Sequence, residues 1–104
     1  MHIVHLNEAV TRAQVLGFFF NVEEGAPDNE FLASFPFANA PNADGKVALG
    51  DVNVAEFLKS VDMTKYFYYQ GSLTTPPCSE IVEWTFVDQV LPMSQAQLDA
   101  WKAQ

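Results

Sequence analysis

Gly71-Ser72-Leu73-Thr74-Thr75-Pro76-Pro77-Cys78 is the stretch on which the reading of this chain turns. Two hydroxyl side chains stand directly before two prolines. Proline fixes its own φ and pushes the preceding residue toward extended backbone. Only X–Pro bonds reach cis at modest cost, so Pro76–Pro77 is a candidate cis peptide. The segment reads as a rigid loop that holds Thr74 and Thr75 in place. An apolar strand, Ile81 to Val87, follows it at once. Such a loop suits a floor on which a small reactant is oriented. Without its surroundings, the favoured reading is a proline turn between two strands, which is ordinary turn chemistry.

Outward from that loop the chain reads as mostly β. Met1 to Leu6 is a strand. Val15 to Val22 is a second strand, almost continuously apolar, which predicts burial on both faces. Glu23 to Asp28 is a Gly/Pro/acidic turn. Asp28 is placed to cap a short helix running to Phe35, with Glu30 in its first turn. Residues 36–47, with Pro36, Pro41, Asn42 and Gly45, read as a loop. Val54 to Val61 is a short helix or turn, and Tyr66 to Tyr69 is extended. Ser94 with Gln97 resembles a capping box that opens a terminal helix ending near Lys102.

Composition bounds the function. With 104 residues the chain is at most one small domain. A hydrophobic share of 49% and nine Phe argue for a packed interior rather than disorder. The formal charge of −8, with only five scattered Lys and Arg, argues against nucleic acid as a partner. No apolar run approaches the ~20 residues that span a bilayer. No basic stretch followed by an apolar one marks a signal peptide.

The two histidines lie close together. On a strand His2 and Val4 share one face and His5 points to the other. A strand therefore offers one histidine per face, not a two-histidine site. A helix would set the pair side by side, but Ile3 and Val4 favour the strand. Taken alone, His2 is an ordinary polar or core histidine.

Residues 66–84, Tyr-Phe-Tyr-Tyr-Gln-Gly-Ser-Leu-Thr-Thr-Pro-Pro-Cys-Ser-Glu-Ile-Val-Glu-Trp, resemble the alpha-class carbonic anhydrases. Met1 to Asn7 resembles that family's strand bearing its last zinc histidine. Val15-Leu16-Gly17-Phe18-Phe19 resembles its Val-Leu-Gly-aliphatic-Phe strand. The three matches occur in family order, and the Gly-Ser-Leu-Thr-Thr-Pro-Pro run is the specific one. The resemblance implies part of a large twisted, mainly antiparallel sheet with short peripheral helices, residues 1–104 forming a partial domain. It also implies a Zn2+-dependent lyase that hydrates CO2 reversibly to bicarbonate.

Residue by residue, the resemblance implies that His2 is a zinc ligand and that His5 is structural. It implies that Thr74 accepts a hydrogen bond from zinc-bound hydroxide, orients it, and offers its backbone N–H to the forming bicarbonate. Thr75 matches a neighbour that contacts bicarbonate. Val4, Val15, Leu73, Val82 and Trp84 match the apolar wall that receives CO2. Tyr66 and Tyr69 are expected as scaffold beneath the loop. The family's His-x-His ligand pair, the carboxylate behind its third ligand, the carboxylate that takes the threonine's proton and the proton-shuttle histidine match no position here. The connection from Asn7 to Val15 is shorter than the family's, so the pocket rim at residues 8–13 departs from the pattern. The expectation is a catalytic domain cut on both sides, inactive when isolated. Cys78 matches a cysteine that, in secreted and membrane-bound family branches, pairs with one near the N-terminus, which implies an extracytoplasmic parent. A buried free thiol is the plain alternative. Two other readings stand beside the enzyme: a carbonic-anhydrase-like binding module that has lost zinc, and an unrelated acidic β domain.

Overall fold

The computed structural model describes residues 1–36 and 50–103. In chain order the elements are β1 (His2–Leu6), β2 (Ala13–Val22), α1 (Glu30–Ala33), α2 (Val54–Lys59), β3 (Tyr66–Gly71), β4 (Val82–Met93) and α3 (Gln95–Lys102). The strands form one sheet in the order β1-β2-β4-β3. The fold is mostly β with short helices, as the sequence predicts. The chain divides into two compact units, Met1–Phe19 with Asp62–Val90, and Phe20–Val61 with Leu91–Gln104.

In the first unit β1 and β2 pair antiparallel with His2 opposite Gly17, Val4 opposite Val15 and Leu6 opposite Ala13. Their connection is tight because Asn7 organises it. Its Oδ1 accepts from the backbone N–H of Thr11 and of Arg12, both at 2.9 Å. The amide of Val10 donates to the Asn7 carbonyl at 2.9 Å. Val10 takes φ 52° in this turn, a left-handed conformation that a β-branched side chain disfavours.

β3 and β4 are also antiparallel, with Gly71 opposite Val82, Tyr69 opposite Trp84 and Phe67 opposite Phe86. Alternation then sorts the side chains. Ala13, Val15, Val82 and Trp84 form the buried cluster, with Leu73, Ile81 and Phe86 packed against it. β2 begins at Ala13, two residues earlier than expected, because the Ala13 amide donates to the Ile81 carbonyl at 2.8 Å. β2 is not buried on both faces. Val15 and Phe18 are 2% exposed but Phe19 is 52% exposed, so its apolar run has one open position.

In the second unit each helix is short and capped. Asn29, not Asp28, caps α1. The Asn29 Oδ1 accepts from Phe31 N–H at 3.1 Å and Leu32 N–H at 3.2 Å, while the Asp28 carboxylate accepts from the Ser94 hydroxyl. α1 accordingly ends at Ala33, short of Phe35. Asn53 caps α2 through Glu56 N–H at 3.0 Å. Phe57 is the buried residue of α2 and stacks on Phe31 with ring centroids 4.0 Å apart. The Ser94–Gln97 capping box forms as predicted. The Gln97 carboxamide also reaches Asn29: its Oε1 accepts from Asn29 N–H and its Nε2 donates to the Asn29 carbonyl, both at 2.9 Å. β4 runs past the expected Val87 to Met93, and the Met93 carbonyl accepts from Glu23 N–H. Most of the loop expected at 36–47 lies outside the described residues.

Candidate functional site

The loop after β3 is closed at its base. Leu73 N–H donates to the Ser79 carbonyl at 3.0 Å, and Cys78 N–H donates to the Thr75 carbonyl at 2.9 Å. Residues 75–78 thus make a turn with the cis Pro76–Pro77 bond at its centre, the isomer that adjacent prolines permit. Cys78 follows at φ 56°. Inside the loop, Leu73 packs on the buried cluster. Thr74 and Thr75, next in sequence, are exposed. Trp84 ties the strand to the loop, its Nε1–H donating to the Ser72 carbonyl at 3.2 Å.

Of the expected apolar wall, Val15, Val82 and Trp84 are buried and in contact, with Leu73 against them. Val4 lies opposite Val15 on the same face but is 53% exposed. The scaffold expectation for the tyrosines does not hold. Tyr66 is 56% and Tyr69 49% exposed, because β3 is one of the two edge strands of the sheet among the described residues. Tyr69 stacks beside Trp84, its centroid 6.4 Å away, rather than lying beneath the loop.

His2 turns its ring toward this cluster. It meets Trp84 edge-on with centroids 4.9 Å apart and Phe86 at 6.0 Å. This packing withdraws solvent from the imidazole and lowers its pKa below the usual value. The ring is therefore held toward its neutral form, the form that can donate a lone pair to a metal. His5 lies on the opposite face of β1, beside Arg12, Gln14 and Glu83, lining a shallow open cavity of about 400 Å³. There Arg12 pairs with Glu83 at 2.7 Å, and that hydrogen bond, helped by Gln14, lowers the Glu83 pKa. Among the described residues no three or more His, Cys, Asp or Glu side chains gather as a metal site.

Two participants escaped the sequence reading, Phe86 and Gly17. The alternation on β4 placed Phe86 on the Trp84 face two residues on, and the β1–β2 register sets Gly17 opposite His2. A Cβ at Gly17 would come within 2.3 Å of the Phe86 ring, so the glycine is what lets that ring lie across β2.

The family model for eukaryotic-type carbonic anhydrase matches residues 1–104, and the chain belongs to that family. It is 37% identical over 102 residues to alpha carbonic anhydrase 3 of Arabidopsis thaliana, covering 95% of this chain and 35% of that protein. The alpha carbonic anhydrase structure from Aspergillus oryzae superposes with a TM-score of 0.86 at 30% identity, covering 97% of this chain and 43% of that one. The chain is also 31% identical over 88 residues to the receptor-type tyrosine-protein phosphatase zeta of Rattus norvegicus, covering 84% of this chain and 4% of that protein. The chain spans about a third of the length of the carbonic anhydrase from Arabidopsis. Family membership removes the reading as an unrelated acidic β domain. No helix among the described residues is long and apolar enough to cross a membrane.

Proposed function

We propose that this chain is part of a zinc-dependent carbonic anhydrase, a lyase that interconverts CO2 and bicarbonate. In that role it supplies the apolar wall, the hydroxide-orienting threonine and one metal ligand. The observation that carries the reading is the packing of Leu73 onto Ala13, Val15, Val82 and Trp84, which sets the residue just before Thr74 on an apolar floor. CO2 has no charge and no strong hydrogen-bonding group, so an apolar surface suits it. Thr74 stands exposed beside that floor. Its hydroxyl can accept one hydrogen bond while donating another, which fixes the direction of whatever oxygen it holds. Its N–H, and the neighbouring Thr75, are donors for a developing oxyanion.

Zinc held by three protein donors with one open position brings the pKa of bound water near neutrality. The described residues offer His2 alone toward such a donor set and do not by themselves fit the ion. Further donors would come from outside them. Cys78 is exposed and unpaired among the described residues, and its proposed partner is likewise a cysteine outside them, in a parent held in an oxidising, extracytoplasmic compartment.

The test uses a longer protein that contains this chain. Thr74→Ala should lower CO2 hydration on the order of a hundredfold, the scale for one preorganised hydrogen-bonding group at a reacting centre, with zinc retained. His2→Ala should remove zinc and activity together. If Thr74→Ala loses zinc, or His2→Ala keeps it, the assignment of these residues is wrong.

A second reading, a non-catalytic carbonic-anhydrase-like binding module, has in its favour the similarity to a segment of a receptor-type phosphatase. Absence of zinc from the longer protein with His2 and Thr74 intact would select it.

A further inference from the structure

We infer that Trp84 and Phe86 position the His2 imidazole, and that Gly17 is the residue that makes this possible. The inference rests on the reading of His2 as a ligand, but its geometry is independent of any metal. Both rings meet His2 edge-on, at interplanar angles of 66° for Trp84 and 76° for Phe86. The rings that meet it are themselves held. Phe86 stacks on Trp84 at 5.4 Å, on Tyr69 at 6.1 Å and on Phe19 at 5.2 Å. The Trp84 indole is fixed further by its bond to the Ser72 carbonyl. Each Phe or Trp ring has only two side-chain torsions, so a ring gripped on several sides offers a stiff wall.

His2 sits on an exposed strand with Gly17 directly across from it. With no side chain at Gly17, the histidine would have no cross-strand partner on β2 to lean on. Phe86 fills that space from β4, its Cδ1 and Cε1 each within 2.3 Å of where a Gly17 Cβ would stand. An alanine at 17 must displace the ring, and the contact that orients His2 goes with it. A histidine that enters a metal site needs a narrow range of ring orientations. Hydrogen-bonded groups that hold such ligands in place are worth about ten- to a hundredfold in metal affinity. Here the holding would be done by aromatic edges and faces rather than by a hydrogen bond.

The experiment compares Gly17→Ala, Phe86→Leu and Phe86→Tyr with the parent sequence, in the chain and in a longer protein containing it. In metal-free protein, nuclear Overhauser contacts from the His2 ring to Trp84 and Phe86 are read alongside those within the Val15–Val82–Trp84 cluster. The parent and Phe86→Tyr should show the His2 contacts. Gly17→Ala and Phe86→Leu should lose the His2–residue 86 contact and keep the cluster. The inference is overturned if the His2 contacts are missing from the parent, persist in Gly17→Ala, or vanish only together with the whole cluster. A longer protein that never holds zinc refutes the functional reading of His2 instead, while the ring contacts in metal-free protein stand or fall on their own.

Discussion

The Trp84 indole Nε1–H donates to the Ser72 carbonyl at 3.2 Å, so a residue of β4 fastens the start of the loop that presents Thr74. Gly71, just before Ser72, faces the same indole. A Cβ there would stand 3.2 Å from Trp84 Cδ1, which keeps the backbone close to the ring. Trp84→Phe keeps an aromatic ring in the buried cluster but leaves the Ser72 carbonyl without this donor. A loss of about 2 kcal/mol or more in stability is expected, from the missing hydrogen bond and the space left by the buried indole, seen as a lower denaturant midpoint. In an active longer protein, hydration should also fall, because the loop, the apolar wall and the His2 contact all rest on this ring.

The isolated 104-residue chain should bind zinc weakly and should not accelerate CO2 hydration. His2 is the one proposed ligand, and no cluster of three donors occurs among the described residues. Zinc titration by calorimetry and stopped-flow hydration with added metal check this. A rate well above the free-metal background would mean that donors have been misassigned.

β3 should drive self-association. It is an edge strand of the sheet among the described residues, and Tyr66, Phe67, Tyr68 and Tyr69 are each about half exposed or more. Its sequence, YFYYQG, contains no charge and no proline to discourage edge pairing. Sedimentation should show mass rising with concentration. Tyr68→Lys should shift the chain toward monomer, since a charge on an open edge opposes pairing. A monomer of the parent chain at all concentrations would contradict this.

Val10 should be replaceable with profit. It holds φ 52° and is 58% exposed, so it loses little packing when changed. Val10→Asn suits the left-handed conformation better and should stabilise by about 1 kcal/mol. Thermal melts of the two proteins measure it. Loss of stability would mean that the β1–β2 turn is held differently.

Stability should weaken below the ordinary glutamate pKa of 4.5. Glu83 is held below that value first by its hydrogen bond from Arg12 and then by Gln14. The unfolded chain therefore binds more protons there than the folded one. The contribution is present above the ordinary value and is lost as pH falls through the lowered one. Asp62, lowered by hydrogen bonds from Thr64, acts in the same sense. Glu83→Gln should flatten part of this acid slope, and its effect near neutrality should be small because the Arg12 side chain is 75% exposed.

Much of this was legible before any coordinates, for local reasons. The capping box at Ser94, the turn at the two prolines and the one-histidine-per-face reading of β1 depend on residues a few positions apart, and each is found. The errors lie where distant residues compete. Asp28 lost the α1 cap because Ser94, 66 positions away, engages its carboxylate. Tyr66 and Tyr69 were expected as scaffold beneath the loop, yet their burial depends on a neighbouring strand that no local pattern reveals. Phe86 was passed over because its importance comes from the empty space at Gly17 across the sheet.

The Gln97 carboxamide has a consequence for the order of folding. Within α3 it closes the cap against Ser94, a contact spanning three residues. The same oxygen, now together with the carboxamide nitrogen, grips the backbone of Asn29 across 68 positions. An early α3 therefore has its own cap but leaves half of this amide to water. The helix reaches its full lifetime only after a long loop has closed, an event whose entropy must be met before the contact rewards it. Protection of the α3 amides from hydrogen exchange should then rise in two steps during refolding, a brief early one and a lasting one that coincides with protection at Asn29.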